Sequence, residues 1–192
     1  MSRGRLEAFS DGVIAILITI MVLELKVPTK PEWSELFDLH HETGRALLTY
    51  GLSFVSLGIY WMNHHHLLHT IEKVSGGILW ANLHLLFWLS LVPFTAFWMN
   101  GGFFPVPTAA FGIVQLGAAV AFFILVRRII AVHGPNSRLA RAIGRDYKGK
   151  VSLVTYAAGT ALAFVQPWVA IALYLSVGVI WLIPDRRIER TE

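Results

Sequence analysis

Two polar side chains stand next to each other at the start of an apolar segment near the N-terminus. Ser10 and Asp11 precede the apolar run from Gly12 to Leu23. A carboxylate that faces lipid costs at least about 2.5 kcal/mol on insertion scales, so such groups normally face protein or water. Asp11 therefore either accepts hydrogen bonds from another segment or caps the start of a helix, where its charge suits the helix dipole.

A second group with possible chemistry is a histidine cluster at the end of the next apolar stretch. His64, His65 and His66 are consecutive, and His69 lies four residues after His65. A spacing of four places His65 and His69 on one helix face, where both could bind one metal ion with Glu72 nearby. Consecutive residues diverge by about 100° on a helix. We therefore expect helix bracing and no metal site.

The composition places these residues in a membrane protein. Of the 192 residues, 55% are apolar and 15% are charged, whereas about 25% are charged in a typical soluble domain. The mean hydropathy is +0.59. The sequence has no cysteine, which excludes disulfides, thiolate metal sites and iron–sulfur clusters. It also lacks an HExxH motif and a phosphate-binding loop, so we predict no enzymatic activity.

Hydropathy predicts six membrane-spanning helices. A span requires about 20 mostly apolar residues. Six stretches meet this requirement or come close to it, and they cover residues 9–27, 46–63, 77–99, 107–131, 151–166 and 168–184. They account for most of the chain, so we expect residues 1–192 to form a single six-helix unit. The predicted fold class is an all-α polytopic membrane protein.

The positions of the basic residues predict the orientation. Of the 16 Lys and Arg residues, Lys26, Lys30 and Arg45 fall on one side and the others on the side of both termini. The positive-inside rule then places both termini in the cytoplasm. Residues 132–150 become a basic cytoplasmic loop beside anionic lipid. No recognition motif accompanies these charges, so we expect no nucleic-acid partner.

The first predicted helix carries one continuous stripe of side chains. At 100° per residue, four residues fall within about 100° of each other, and Ser10 and Asp11 point elsewhere. A stripe of this kind can line a narrow pore with hydrophobic constrictions, or it can pack against other helices. The helix is apolar all round, so periodicity leaves both possibilities open. The four residues are Ile16, Thr19, Ile20 and Leu23, and Phe9, Gly12 and Val27 extend the stripe.

The residues around Asp11 resemble the motif of a known family. Arg5, followed after three residues by Phe9, Ser10 and Asp11, is similar to the RxxxFSD motif of the transmembrane protein 175 family. This family comprises the endosomal and lysosomal potassium channel and its prokaryotic relatives. The length of this chain fits a prokaryotic member with one six-helix unit.

Two further stretches support the resemblance. The sequence from Trp61 to His66 resembles the W-x-x-H-H stretch that follows the family's second span. The sequence from Asn82 to Thr95 resembles the family's N…LxPFxT pattern in the third span. The close resemblance covers the first three spans, and the last three agree by hydropathy.

The resemblance implies a potassium-permeable, moderately selective channel. Prokaryotic members are homotetramers in which the first helix of each subunit lines a central pore. By this resemblance Ile16 forms the hydrophobic constriction, Thr19 forms a hydroxyl layer linked to cation preference, and Leu23 forms the next apolar layer. Ile20 lies beside them on the stripe.

The resemblance also implies that the motif braces the helix and does not bind the ion. In the family, it forms hydrogen bonds with polar residues of the second and third helices. The matching candidates here are Trp61, His65 and Asn82, with Asn63, His64 and His84 as further candidates.

The remaining expectations concern partners and location. Potassium ions and the lipid bilayer are the expected partners, and no cofactor is expected. Long apolar helices suit the inner membrane of a prokaryote and not an outer-membrane barrel. One alternative stays open, a proton- or sodium-coupled secondary transporter that uses Asp11 as its ion site.

Overall fold

The computed structural model describes residues 1–28, 30–144 and 146–182. The regular elements of this part are helical, which confirms the predicted all-α class. The helices are α1 (Arg3–Ile20, continued by a 3-10 turn, Met21–Glu24), α2 (Ser34–Phe37), α3 (Glu42–His69), α4 (Gly76–Ser90), α5 (Val92–Asn100), α6 (Pro105–His133), α7 (Arg138–Ile143), α8 (Tyr147–Leu162) and α9 (Pro167–Leu182).

Each predicted span overlaps one of the long helices or, for the third span, the pair α4 and α5. Three segments are long and apolar enough to cross a bilayer, namely Arg3–Glu24, Gly76–Asn100 and Pro105–His133. Helix α9 is apolar but shorter. That all six segments cross the membrane stays a prediction, as does the single unit over 1–192.

Some sequence-based expectations fall on residues that the structure does not describe. Residues 183–184 of the last predicted span lie outside the described residues. The same holds for four arginines counted on the inner side, which are Arg145, Arg186, Arg187 and Arg190. The predicted basic loop 132–150 contains the short helix α7.

A proline divides the third span. Helix α4 ends at Ser90, and α5 begins at Val92 with Pro93 in its first turn. Proline has no N–H to donate, and its ring clashes with the carbonyl four residues earlier in a continuous helix. The helix therefore restarts at Val92 instead of running through.

Helix α6 lies at the centre of the packing, against α4, α5, α8 and α9. Two of its glycines permit close approach. A Cβ at Gly117 would overlap the ring of Trp88 on α4, and one at Gly112 would overlap the hydroxyl of Tyr174 on α9. Small residues at helix contacts are the usual means of close packing within membranes.

A cavity of about 560 Å³ lies between α3, α6, α8 and α9. Its lining is mostly apolar, and Gln115 Nε2 donates to Ser56 Oγ at its wall (2.7 Å). Among the described residues, none from α1 lines it. The cavity is therefore separate from the stripe on the first helix.

Replacing Gly117 with valine is expected to lower stability by about 1–3 kcal/mol, because overpacking displaces neighbouring side chains. The midpoint of thermal unfolding of the purified protein measures the loss. Gly178→Ala is the matched control, since nothing lies within 4 Å of a Cβ built there. Its midpoint should stay the same or rise slightly, because alanine favours helix over glycine. Equal losses in both variants would contradict the packing argument.

Candidate pore-lining helix and its polar contacts

Helix α1 has one buried face and one uncovered face within the chain. Leu6, Ser10 and Ile14 are buried against neighbouring helices, mainly α3 and α4. On the opposite side, Ile16 is 62% exposed and Leu23 is 78% exposed. The uncovered face is the stripe found by helical periodicity, and it includes Phe9, Gly12, Thr19 and Ile20 as well. Val27, which periodicity placed on the stripe, is exposed but lies beyond the helical residues, which end at Glu24. The stripe therefore faces lipid or other protein chains.

The hydroxyl on this face is held in one orientation. Thr19 Oγ1 donates to the carbonyl oxygens of Ala15 (2.9 Å) and Ile16 (3.1 Å). A threonine hydroxyl has one proton to donate and two lone pairs to offer. Because the proton points into the helix, the oxygen is free to act as an acceptor on the exposed side. Thr19 thus forms a polar layer about 4.5 Å along the axis from Ile16.

Asp11 accepts a hydrogen bond from the second span. Trp61 Nε1 lies 3.0 Å from Asp11 Oδ1. The Trp61 ring also stacks on His65, with ring centroids 6.1 Å apart. The structure therefore brings together the motif aspartate and the tryptophan named from the sequence, and the contact joins α1 to α3.

A buried chain of hydrogen bonds joins α1, α3 and α4. Asn82 Nδ2 donates to Ser10 Oγ (2.9 Å), and Ser10 Oγ donates to the Leu6 carbonyl (2.9 Å). On its other side, Asn82 Oδ1 lies 2.6 Å from His64 Nε2. Ser10, His64 and Asn82 are all fully buried.

The network assigns the proton on this histidine. Because Asn82 Oδ1 can only accept, Nε2 of His64 carries the hydrogen. Nδ1 of the same ring is buried without a hydrogen-bond partner in the described part of the chain. The single N–H of neutral His64 therefore donates to Asn82 Oδ1.

His65, another candidate partner of the motif, lies against Glu7. Its Nδ1 is 3.2 Å from Glu7 Oε1, and His69 Nε2 is also 3.2 Å from that oxygen. His65 still contacts α1, but through Glu7 instead of Asp11. The reason is the 100° step between consecutive helical residues, which turns His64 towards Asn82 and His65 towards Glu7.

Sequence analysis did not name Glu7 as a site residue. A signal was present, because Glu7 and Asp11 are four residues apart on one helix face, as are residues 61, 65 and 69 on α3. Arg3 continues the pattern, since its guanidinium donates to the His69 carbonyl (3.2 Å). The two helices thus meet through contacts spaced by one turn.

The other residues considered from the sequence lie apart from this network. Asn63 donates to the Ile59 carbonyl of its own helix (2.8 Å). His84 accepts from Trp88 Nε1 within α4 (3.0 Å). Arg5, the first residue of the motif, is exposed at the N-terminal end of α1.

Asn82→Leu is expected to destabilise the protein, because it leaves the buried Ser10 and His64 groups without their partner. Each unsatisfied buried group costs about 1–3 kcal/mol. The midpoint of thermal unfolding measures the loss. Asn63→Leu is the matched control and should cost less, since its amide is half-buried and bonds within its own helix.

A double-mutant cycle tests the coupling between Ser10 and Asn82. Ser10→Ala combined with Asn82→Leu should lower the midpoint by less than the sum of the two single changes. Additive losses would show that the two side chains do not act together.

The amino-acid sequence of the chain is similar to that of known channel proteins. A family model described as "Endosomal/lysosomal potassium channel TMEM175" matches residues 5–93. A potassium channel from Chryseobacterium sp. (strain P1-3) is 50% identical over 192 residues, which cover 100% of this chain and 98% of that protein. The endosomal/lysosomal proton channel TMEM175 of Gallus gallus is 28% identical over 64% of this chain, which is 26% of that longer protein.

A solved structure has the same fold. The crystal structure of a lysosomal potassium-selective channel TMEM175 homolog from Chamaesiphon minutus matches with a TM-score of 0.79 and 25% identity. The match covers 95% of this chain and 97% of that chain. Together with the identity to the Chryseobacterium relative along the whole chain, this shows that the protein is a membrane protein of the TMEM175 family, whose members are ion channels and not enzymes.

Proposed function

We propose that this chain is a potassium-permeable channel of moderate selectivity, in which α1 of four identical subunits lines a central pore. The observation that carries the proposal is the uncovered stripe of α1, where the Thr19 hydroxyl lies between the bulky apolar residues Ile16 and Leu23. Four such stripes around an axis make a narrow passage with alternating apolar and hydroxyl layers.

The chemistry of these layers favours modest selectivity. A ring of Ile16 side chains offers no ligand to a cation, so it stays dry and closed or widens until a partly hydrated ion passes. The Thr19 oxygens have free lone pairs and bind the ion directly or through ordered water. Such a layer replaces less of the hydration shell than a filter built from carbonyl rings.

Relatives support conduction over coupled transport. The two bacterial relatives described above are named as channels, one of them as potassium-selective. The side chain of Asp11 faces away from the stripe and accepts a hydrogen bond from Trp61. These observations favour a bracing role for Asp11 over the alternative of an ion-coupling site in a transporter.

The remaining parts of the proposal are location and partners. The channel resides in the inner membrane of a prokaryote with both termini in the cytoplasm, as the positive-inside bias predicts. Potassium ions and lipid are its partners, and the assembly is a homotetramer. A channel family implies no enzymatic cofactor.

Flux from liposomes tests the constriction. Purified protein under a potassium gradient is expected to give electrogenic potassium flux, and Ile16→Asn should increase it because a polar ring is easily wetted. Ile16→Val is the control, since it keeps an apolar ring and should stay near wild type. Absence of flux in all three, with folded tetramers present, would overturn the channel proposal.

Replacing Thr19 tests the hydroxyl layer. Thr19→Ala should weaken the preference for potassium over sodium, measured from reversal potentials in mixed-ion gradients. Thr19→Ser keeps the hydroxyl and should retain most of the preference. Because a vertebrate relative is named a proton channel, proton flux is measured in the same liposomes with a pH-sensitive dye. Equal selectivity in wild type and both variants would remove Thr19 from the selectivity mechanism.

A further inference from the structure

We propose that Glu7, His65 and His69 form a binding site for a transition-metal ion of the Zn²⁺ class. The site joins the inner end of α1 to the inner end of α3. It is distinct from the pore stripe, because Glu7 lies on the face of α1 that contacts α3.

Distances between the donor atoms fit a tetrahedral ion. Zn–N bonds are about 2.0–2.1 Å and Zn–O bonds about 2.0–2.2 Å, so two ligand atoms of one tetrahedral ion lie about 3.3–3.5 Å apart. Glu7 Oε1 lies 3.2 Å from both His65 Nδ1 and His69 Nε2. The three donor atoms all lie within 4.8 Å of one another.

The donor set suits the ion. Two imidazoles and one carboxylate are ligands that Zn²⁺ uses in proteins, with water at the fourth position. The same two nitrogens can instead both donate to the single oxygen in an ion pair that contains no metal. These two arrangements differ in what they bind, which makes them separable by experiment.

The surroundings allow an ion to enter and hold the ligands in place. The side chains of Glu7, His65 and His69 are 17%, 38% and 41% exposed. Trp61 stacks on the His65 ring. Arg3 donates to the His69 carbonyl, which keeps the end of α3 beside α1. The ligands are thus pre-positioned but reachable by a hydrated ion.

An ion at this site restrains the helix that carries the stripe. Glu7 is part of α1, and in the proposed channel the Ile16 ring widens by movement of α1 relative to α3. A metal bridge resists that movement, so occupancy should reduce potassium flux. This consequence rests on the proposed channel function, whereas metal binding does not.

Cobalt binding tests the site without reference to flux. The full chain is purified in detergent without a polyhistidine tag and titrated with Co²⁺. We expect one Co²⁺ per chain, with the intense visible absorption of four-coordinate cobalt, and displacement by Zn²⁺. Glu7→Gln and His69→Ala should each weaken binding by at least about 100-fold, more than the loss of an outer-sphere partner.

His40→Ala is the matched control, because His40 lies in the exposed loop before α3, and it should bind as wild type does. Elution volume and circular dichroism verify that each variant is folded, and Glu7→Gln preserves the size of the side chain. An absence of the cobalt spectrum in wild type would show that Glu7 contacts His65 and His69 without binding a metal ion. Equal binding in all variants would show adventitious binding. Either result overturns the proposal.

Zinc inhibition of flux tests the consequence for conduction. Micromolar Zn²⁺ should reduce potassium flux in wild type and in His40→Ala, and much less in Glu7→Gln, each relative to its own zinc-free rate. Cobalt binding without zinc inhibition would overturn the restraint on α1. If wild type gives no flux at all, the channel proposal fails, while the cobalt spectrum still decides the metal site.

Discussion

A buried chain of hydrogen bonds from Ser10 through Asn82 to His64 determines how the first helix is oriented. The bilayer core supplies no water to polar groups, so Ser10 and His64 both depend on Asn82 between them. Because Ser10 must point towards Asn82, α1 cannot rotate about its axis without breaking the chain. This fixed orientation about the helix axis also turns Ile16 and Thr19 outwards. A polar contact on the buried side of α1 thus determines which side chains the uncovered side presents.

Contacts between α1 and α3 fix how far α1 is shifted along α3. Arg3, Glu7 and Asp11 are spaced by one helical turn and meet partners on α3 that are also spaced by about one turn. A slide of one helix along the other by a single residue would break all of these contacts together. The exposed contacts are individually weak, but their shared spacing makes the register specific.

The positions of the long helices could be predicted from hydropathy. Which polar side chains of different helices contact each other could not. Apolar stretches located the long helices, and the structure divides the third predicted span at Pro93. Helical periodicity identified the stripe on α1, and the family motif singled out Trp61 and Asn82. The contact of His64 with Asn82 and that of His65 with Glu7 depend on how helices far apart in sequence are rotated against each other. The spacing of four residues shows that Glu7 and Asp11 share one face of α1, but it does not show which residues of another helix that face meets.

The polar residues of α1 are synthesised well before the residues that they contact. Asp11 and Trp61 are 50 residues apart, and Ser10 and Asn82 are 72 apart. At about 5–20 residues per second, the ribosome needs roughly 4–14 s to add the 72 residues between Ser10 and Asn82. The polar residues of α1 are therefore made several seconds before their partner on α4. Glu7 and Asp11 lie in the N-terminal half of α1, about one and two turns from its first residue. An unpaired carboxylate is costly in the bilayer core, so α1 must keep this half close to interfacial water until α3 and α4 have been made.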